Sequence, residues 1–184
     1  LFPKKDDSLH LDNNISELTD TINNLFGTQS SKKGIMGENF IYNIIKSKFK
    51  DITIEITRNK PHNGDGTIIF PEIREKVMLE IKNYTNNVDD TELEKLIYDM
   101  QYTNIKFAIF ISINSSFVRK PRFHIECYKD LTIIFVPNII DDINRVENSI
   151  VLMKHLINHN NSKFNINDSH KINSQLYKLD EIYH

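Results

Sequence analysis

The chain has 184 residues, of which 39% are hydrophobic and 26% are charged, and its formal net charge at pH 7 is −2. This length and composition fit a domain with its own core and exclude a disordered tail or a strongly basic arm. No apolar run approaches the roughly 18 residues of a membrane-spanning helix, so we expect no membrane partner.

Cys127 is the single cysteine of the chain, which excludes an internal disulfide and a cysteine-based zinc site. We therefore expect an intracellular protein of a reducing compartment, either cytoplasm or nucleus. Ile, Asn and Lys are abundant, which we attribute to the AT-rich genome of a host or virus. The first residue is Leu rather than Met, so we expect the chain to be part of a longer protein.

The pattern along the chain predicts a main domain between two shorter segments. Residues 1–32 should form an N-terminal extension with one helix, because apolar residues recur there at helical spacing, at Ile15, Leu18, Ile22 and Leu25. Residues 33–158 should form the main domain. Residues 159–184 should form a polar tail or a helix.

Within the main domain, a helix from about Ile35 to Phe49 precedes three strands. A second helix, capped by Asp89 or Asp90, then leads into a strand buried on both faces. The predicted strands span residues 52–57, 65–70, 76–84, 107–113, 123–128 and 131–136, and the later helices span residues 89–102 and 141–158. This order, α-β-β-β-α-β followed by a β-hairpin, predicts an α/β fold with a mixed central sheet flanked by helices.

The third predicted strand carries two charges on one face. Because side chains alternate along a strand, Val77, Leu79 and Ile81 share one face, and Met78 shares the other with Glu80 and Lys82. Desolvating an ion costs several kcal/mol. A carboxylate and an ammonium on an otherwise apolar strand therefore require a partner, and a metal ion or a third charged group is the simplest one.

Asp65, between Gly64 and Gly66, supplies a second carboxylate. If the second and third strands form an antiparallel pair, a register that places Asp65 opposite Glu80 centres the connection between residues 72 and 73, where turn residues lie. Two converging carboxylates suit Mg²⁺ or Mn²⁺. We predict that Asp65, Glu80 and the main-chain carbonyl of Ile81 bind the metal, and that Glu38 completes the site or holds a second ion.

In this scheme Lys82 orients or deprotonates the attacking water, or stabilises charge that develops on a phosphate. The position of Glu38 in the first turns of a helix also has a purely structural explanation, since the helix dipole favours an acid there.

These residues resemble a known superfamily. The pattern Gly34-x-x-Gly37-Glu38, then Gly64-Asp65, then Leu79-Glu80-Ile81-Lys82-Asn83-Tyr84 is similar to the PD-(D/E)xK, or restriction-endonuclease-like, nucleases, in particular their Mrr-like and Holliday-junction-resolvase-like branches. The resemblance covers roughly residues 33–137, and Gly64 stands where a proline often precedes the aspartate. It implies a restriction-endonuclease-like core, dependence on a divalent metal and hydrolysis of phosphodiester bonds, with Glu38, Asp65, Glu80 and Lys82 as catalytic residues.

Other residues are candidates for substrate binding, through phosphate contacts or contacts with bases. They are Lys33, Arg58, Lys60, His62, Tyr84, Gln101, Arg119, Lys120 and Arg122. The basic members of this set have an equally good alternative role in keeping loops soluble.

The leading hypothesis is an endonuclease that acts on DNA, and related endonucleases often work as homodimers. One alternative is an RNA endonuclease of the cap-snatching type. Such enzymes have a metal-binding histidine on the early helix, where this chain has Glu38. The other alternative is a catalytically silent, nuclease-like module that binds nucleic acid.

Overall fold

A computed structural model describes residues 30–159 and 166–183 of the chain. Within these ranges it contains four helices and six strands. The helices are α1 (Ser30–Lys48), α2 (Asp90–Thr103), α3 (Asn144–His159) and α4 (Ile166–Tyr183). The strands are β1 (Thr53–Ile56), β2 (Gly66–Ile69), β3 (Lys76–Lys82), β4 (Phe107–Ser112), β5 (His124–Tyr128) and β6 (Leu131–Val136). The helix predicted around residues 15–25 lies outside the described residues.

The strands form one mixed sheet in the order β1-β2-β3-β4-β6-β5. Strands β3, β4 and β6 run parallel in its centre, and antiparallel pairs close both sides. The protein is therefore of the α/β class, with a mixed sheet flanked by helices, as the order of elements predicted. The three parallel strands end at the same edge of the sheet, which is where open α/β sheets place ligands.

Helices cover both faces of the sheet and define two apolar layers. On one face, α1 and α3 pack against the side chains of β3 that include Val77, Leu79 and Ile81. On the other face, α2 packs against Met78 and its neighbours from β4 and β6. The predicted alternation of β3 is confirmed, so Glu80 and Lys82 lie on the face that α2 covers.

The register between β2 and β3 agrees with the sequence prediction. Gly66 pairs with Leu79, the same register that would set residue 65 opposite residue 80, although Asp65 itself precedes the first paired residue of β2. The backbone N–H of Asp65 also donates to the carbonyl of Leu79 at 2.9 Å. Asp65 therefore lies near the C-terminal end of β3, close enough for the charge of Glu80 to raise its pKa.

The C-terminal stretch forms a helix that covers the free edge of β5. The Asn173 side chain of α4 accepts from the Ile125 N–H at 2.9 Å and donates to the Ile125 carbonyl at 2.7 Å. These bonds satisfy backbone groups that an edge strand would otherwise expose. In the part of the chain described, no helix has the length and apolar character needed to cross a membrane.

The first helix is longer than predicted. It starts at Ser30, five residues before the predicted start at about Ile35. A polar first turn followed by Gly34 and Gly37 has the composition of a linker, and tertiary packing overrides this weak local preference.

Candidate active site

Asp65 is held in place at the end of β2 by bonds to three different elements. Its main-chain carbonyl accepts from the Thr57 N–H at 3.0 Å and from the Tyr42 hydroxyl at 2.7 Å. Its carboxylate oxygen Oδ2 accepts from the Ile81 N–H at 2.7 Å. The carboxylate is therefore oriented toward the C-terminal end of β3.

The backbone of Ile81 points toward the same carboxylate. The carbonyl of Lys82 accepts from the Ile113 N–H on the β4 side of β3. Backbone groups of successive strand residues point to opposite sides, and the N–H and carbonyl of one residue point to the same side. The Ile81 carbonyl is therefore directed to the β2 side, where Asp65 lies.

Glu80 and Lys82 form a buried ion pair on the α2 face. Their side chains meet at 2.8 Å between Lys82 Nζ and Glu80 Oε1, and the two residues are only 4% and 9% exposed. Lys95 Nζ lies 3.9 Å from the same Glu80 oxygen. The two charges that alternation placed together on β3 therefore compensate each other in the low dielectric of the interior.

Glu92 is a third charged residue in this cluster, and the sequence pattern did not predict its contact with Lys82. Its carboxylate lies 2.7 Å from Lys82 Nζ and accepts from the Tyr84 hydroxyl at 2.7 Å. An acid three residues after the N-cap Asp89 is normally explained by helix capping. Only the packing of α2 over β3 shows that Glu92 forms an ion pair with Lys82.

These contacts decide the charge state of Lys82. Burial opposes its charge, but the attraction of Glu80 and the hydrogen bonds to Glu80 and Glu92 outweigh it and raise the pKa of the ammonium group. Lys82 therefore stays protonated at neutral pH. Of the roles predicted for it, charge stabilisation suits a protonated ammonium group in this environment.

Glu38 reaches the site because Gly37 lets α1 approach the sheet closely. A Cβ at Gly37 would lie 2.7 Å from Ile113 Cδ1 and 3.3 Å from Asn83 Cβ. The Nε of Arg58 lies 3.3 Å from Glu38 Oε2. No group in the described residues donates a hydrogen bond to this buried oxygen. The Gly-Glu pair of the sequence motif thus has a geometric reason.

The three acids influence one another electrostatically. Burial and the negative charge of Glu80 raise the pKa of Asp65 to about 7, and Glu38 adds to the effect. Burial also raises the pKa of Glu38, against the opposing charge of Arg58. A carboxyl group with its pKa near neutrality in a cleft is typical of functional sites.

The acids nevertheless do not form a ready-made metal cage. Among the side chains that the structure describes, in residues 32–158 and 167–178, no three of His, Cys, Asp or Glu come together in a metal-binding arrangement. The reason is visible in the contacts, since Glu80 is turned toward Lys82 and Lys95, and Asp65 toward the Ile81 N–H.

A cavity of about 650 Å³ opens onto this site. Asp65, Ile81, Lys82 and Glu38 contribute to its wall. The rest of the lining is mostly polar and comes from α1 and the segment after β3: Lys33, Gly34, Asn83, Tyr84, Thr85, Asn86, Asn87 and Asp89. Of the predicted substrate-binding residues, Lys33 and Tyr84 therefore line the cavity.

The loop between β1 and β2 carries three further predicted contacts. Arg58 forms an ion pair with Glu38 and also donates a hydrogen bond to the Asn39 side chain at 3.3 Å. Lys60 is exposed in the turn that follows. His62 packs on α2, where its Nδ1 lies 2.8 Å from Asp99 Oδ1.

The last four predicted contacts are dispersed. Gln101 is exposed on α2, and Arg119 pairs with Asp90 at the start of that helix. Lys120 lies 3.6 Å from Glu126, and the guanidinium of Arg122 lies over the ring of Tyr177. The structure therefore directs Lys120 and Arg122 toward β5 and α4, away from the cavity lining.

Comparison with known proteins adds no relative to this description. A scan of the chain against models of known protein families finds no match, and a search of curated proteins finds no significantly similar sequence. The geometry of the charged residues around the end of β3 is therefore the basis for inferring what the protein does.

Proposed function

We propose that this protein is a metal-dependent nuclease with a restriction-endonuclease-like fold, which hydrolyses phosphodiester bonds in DNA. One observation carries the proposal. Three acids, Glu38, Asp65 and Glu80, influence one another around the buried ammonium of Lys82, beside a polar cavity at the C-terminal edge of the parallel strands. The similarity of their motifs to the PD-(D/E)xK nucleases supports the same reading.

The donor set fits a hard divalent cation such as Mg²⁺ or Mn²⁺. Burial, together with the negative charge of Glu80, raises the pKa of Asp65, and Glu38 Oε2 is buried with an ion pair to Arg58 but without a hydrogen bond from the described residues. Carboxylate and carbonyl oxygens are the ligands that these ions prefer. Asp65, Glu80 and the Ile81 carbonyl would hold the ion, together with Glu38. When bound, the ion would polarise the phosphate and lower the pKa of a coordinated water.

Lys82 acts as a fixed positive charge in this proposal. Glu80 and Glu92 keep it protonated and oriented, so it stabilises negative charge that builds up on the phosphate during hydrolysis. Such a group contributes most when it is held in advance in a site with little water, which describes a residue that is 9% exposed.

A second candidate function is a silent module that binds nucleic acid without cutting it. The compact Glu80–Lys82 pair and the lack of a ready metal cage in the described residues favour it. The intact set of three acids and a lysine favours the nuclease. DNA is preferred to RNA because Glu38 stands where RNA-cutting relatives of this kind carry a histidine.

The deciding experiment measures cleavage of labelled DNA and RNA by the purified chain with Mg²⁺ or Mn²⁺. We expect DNA cleavage by the wild type and a loss of about 100- to 1,000-fold in Lys82→Ala and Asp65→Ala. Lys76→Ala is the matched control, because Lys76 is on the same strand but exposed and paired with Glu55. Cleavage of neither nucleic acid, or undiminished cleavage by both site variants, would contradict the proposal, and cleavage of RNA alone would move the substrate to RNA.

A further inference from the structure

Three aromatic rings form an exposed cluster beside the candidate active site, which we call the ring cluster: His62, Tyr98 and Tyr102. The His62 ring meets Tyr98 edge-on at 5.2 Å between centroids and Tyr102 at 4.7 Å. The two tyrosine rings lie within 27° of parallel, 6.3 Å apart. Tyr98 is 54% exposed and Tyr102 66% exposed. The cluster therefore presents aromatic surface to solvent.

The cluster is built on rigid supports. His62 is anchored by Asp99, a carboxylate of α2 that is 3% exposed, at 2.8 Å. The backbone of His62 has a φ of 58°, a left-handed conformation that is uncommon outside glycine and concentrates at functional sites. The Thr57 hydroxyl braces the same loop through the Asn63 carbonyl at 2.9 Å. On this support the Tyr98 and Tyr102 rings remain open to solvent.

The ring cluster is continuous with the catalytic acids along one flank of α2. Lys95 touches Glu80, and Tyr98 and Tyr102 follow it three and seven residues later, on the same flank of the helix. At 1.5 Å per residue, Tyr98 lies about 4.5 Å and Tyr102 about 10.5 Å further along the helix axis than Lys95. The loop that holds His62 ends at Asp65 itself. A nucleic-acid strand that runs from the acids along this flank of α2 would reach the rings within the span of a few nucleotides.

We propose that the ring cluster stacks an unpaired nucleobase of the substrate strand next to the phosphate being cut. Aromatic side chains bind bases of any sequence by stacking, but only bases whose faces are exposed. In a duplex these faces are covered by neighbouring base pairs. The preferred substrate is therefore DNA with unpaired nucleotides beside the cleavage site. This inference rests on the proposed function and deepens it.

The test measures binding separately from cleavage. Fluorescence anisotropy of the full chain in chelator, at fixed salt, compares a single-stranded DNA with the same strand in which abasic sugars replace the bases. We expect the wild type to bind the base-containing strand at least about tenfold more tightly. Tyr98→Ala and Tyr102→Ala should each weaken that binding by about tenfold and leave the affinity for the abasic strand unchanged.

Tyr98→Phe and Tyr102→Phe are the matched controls, because they keep the rings and should keep the affinity. Equal affinity of the wild type for both strands, or equal losses on both strands in the alanine variants, would overturn the inference. Cleavage assays with Mn²⁺ on the same strands separate the two proposals. If the chain cuts DNA but does not bind bases preferentially, the stacking role is wrong and the nuclease function stands. If it binds bases preferentially but does not cut, the nuclease function is wrong and the base stacking stands.

Discussion

Two clusters of polar side chains lie on this sheet, one around the end of β3 and one around β5, and they differ in charge balance. In the β5 cluster a single acid, Glu126, has three partners: Lys120 Nζ at 3.6 Å, His124 Nε2 at 3.2 Å and the Tyr128 hydroxyl. In the β3 cluster, burial and the negative charges of Glu80 and Glu38 raise the pKa of Asp65 to about 7.

The contrast shows that polar residues on strands do not by themselves mark a functional site. The β5 cluster satisfies its acid with side chains of the protein, so it needs nothing from outside. In the β3 cluster Glu80 pairs with Lys82 and Glu38 with Arg58, whereas burial and the charges of the other two acids raise the pKa of Asp65. We propose that a bound cation offsets this imbalance. Each of the following predictions uses that imbalance, from the largest expected effect to the smallest.

Neutralising one acid in each cluster should give the clearest difference between the two clusters in the rate of DNA cleavage. We expect Glu80→Gln to lower DNA cleavage by about 100- to 1,000-fold, because it removes a charged oxygen from the proposed metal site. The matched change Glu126→Gln should leave the rate within about twofold, since that acid serves only its own cluster. Single-turnover cleavage with Mg²⁺ measures both, and similar losses in the two variants would erase the distinction.

Divalent metal should stabilise the fold through the β3 cluster alone. At one hundred times its dissociation constant, a ligand that binds only the folded state raises the free energy of unfolding by about 2.7 kcal/mol. Thermal unfolding with and without Mg²⁺ or Mn²⁺ measures this without any substrate. We expect the shift in the wild type and in Glu126→Gln, but not in Glu80→Gln. A metal-independent melting temperature in the wild type would argue against the site.

The charge of Asp65 should make the metal-free protein less stable as pH rises. Because burial and Glu80 raise the pKa of Asp65 from 3.8 to about 7, its favourable contribution is complete below about pH 4 and is lost as pH rises through 7. Asp65→Asn keeps an acceptor for the Ile81 N–H without the charge. It should raise the free energy of unfolding by about 1–3 kcal/mol near pH 8 and change little near pH 4.

Urea unfolding in chelator across this pH range checks the prediction. Asp51→Asn, an exposed aspartate, serves as the control for the substitution itself. An Asp65→Asn variant whose stability falls with pH as steeply as the wild type would show that another group carries the effect.

Glu92→Gln should have the smallest effect, because Lys82 keeps its contact with Glu80. We expect cleavage to fall by about tenfold, the usual cost of losing a group that orients another. Single-turnover cleavage with Mg²⁺ measures the rate. A rate equal to that of the wild type would mean that Glu92 supports only the helix.

Much of this site followed from local pattern. Alternation along β3 placed Glu80 and Lys82 on one face, because strand side chains repeat every two residues. The register of β2 against β3 was also predictable, because a short connection limits it. The buried strand β4 and the N-cap Asp89 were also predictable, since each depends on residues close together in sequence.

Contacts between distant elements were decided by the tertiary structure alone. The ion pair between Glu92 and Lys82 depends on how α2 lies across the sheet, and so does the contact between His62 and Asp99. The bond from Tyr42 to Asp65 depends equally on the approach of α1. A sequence determines the faces of its own elements through their periodicity. Which faces meet, and therefore which charges remain unbalanced, depends on packing between segments tens of residues apart.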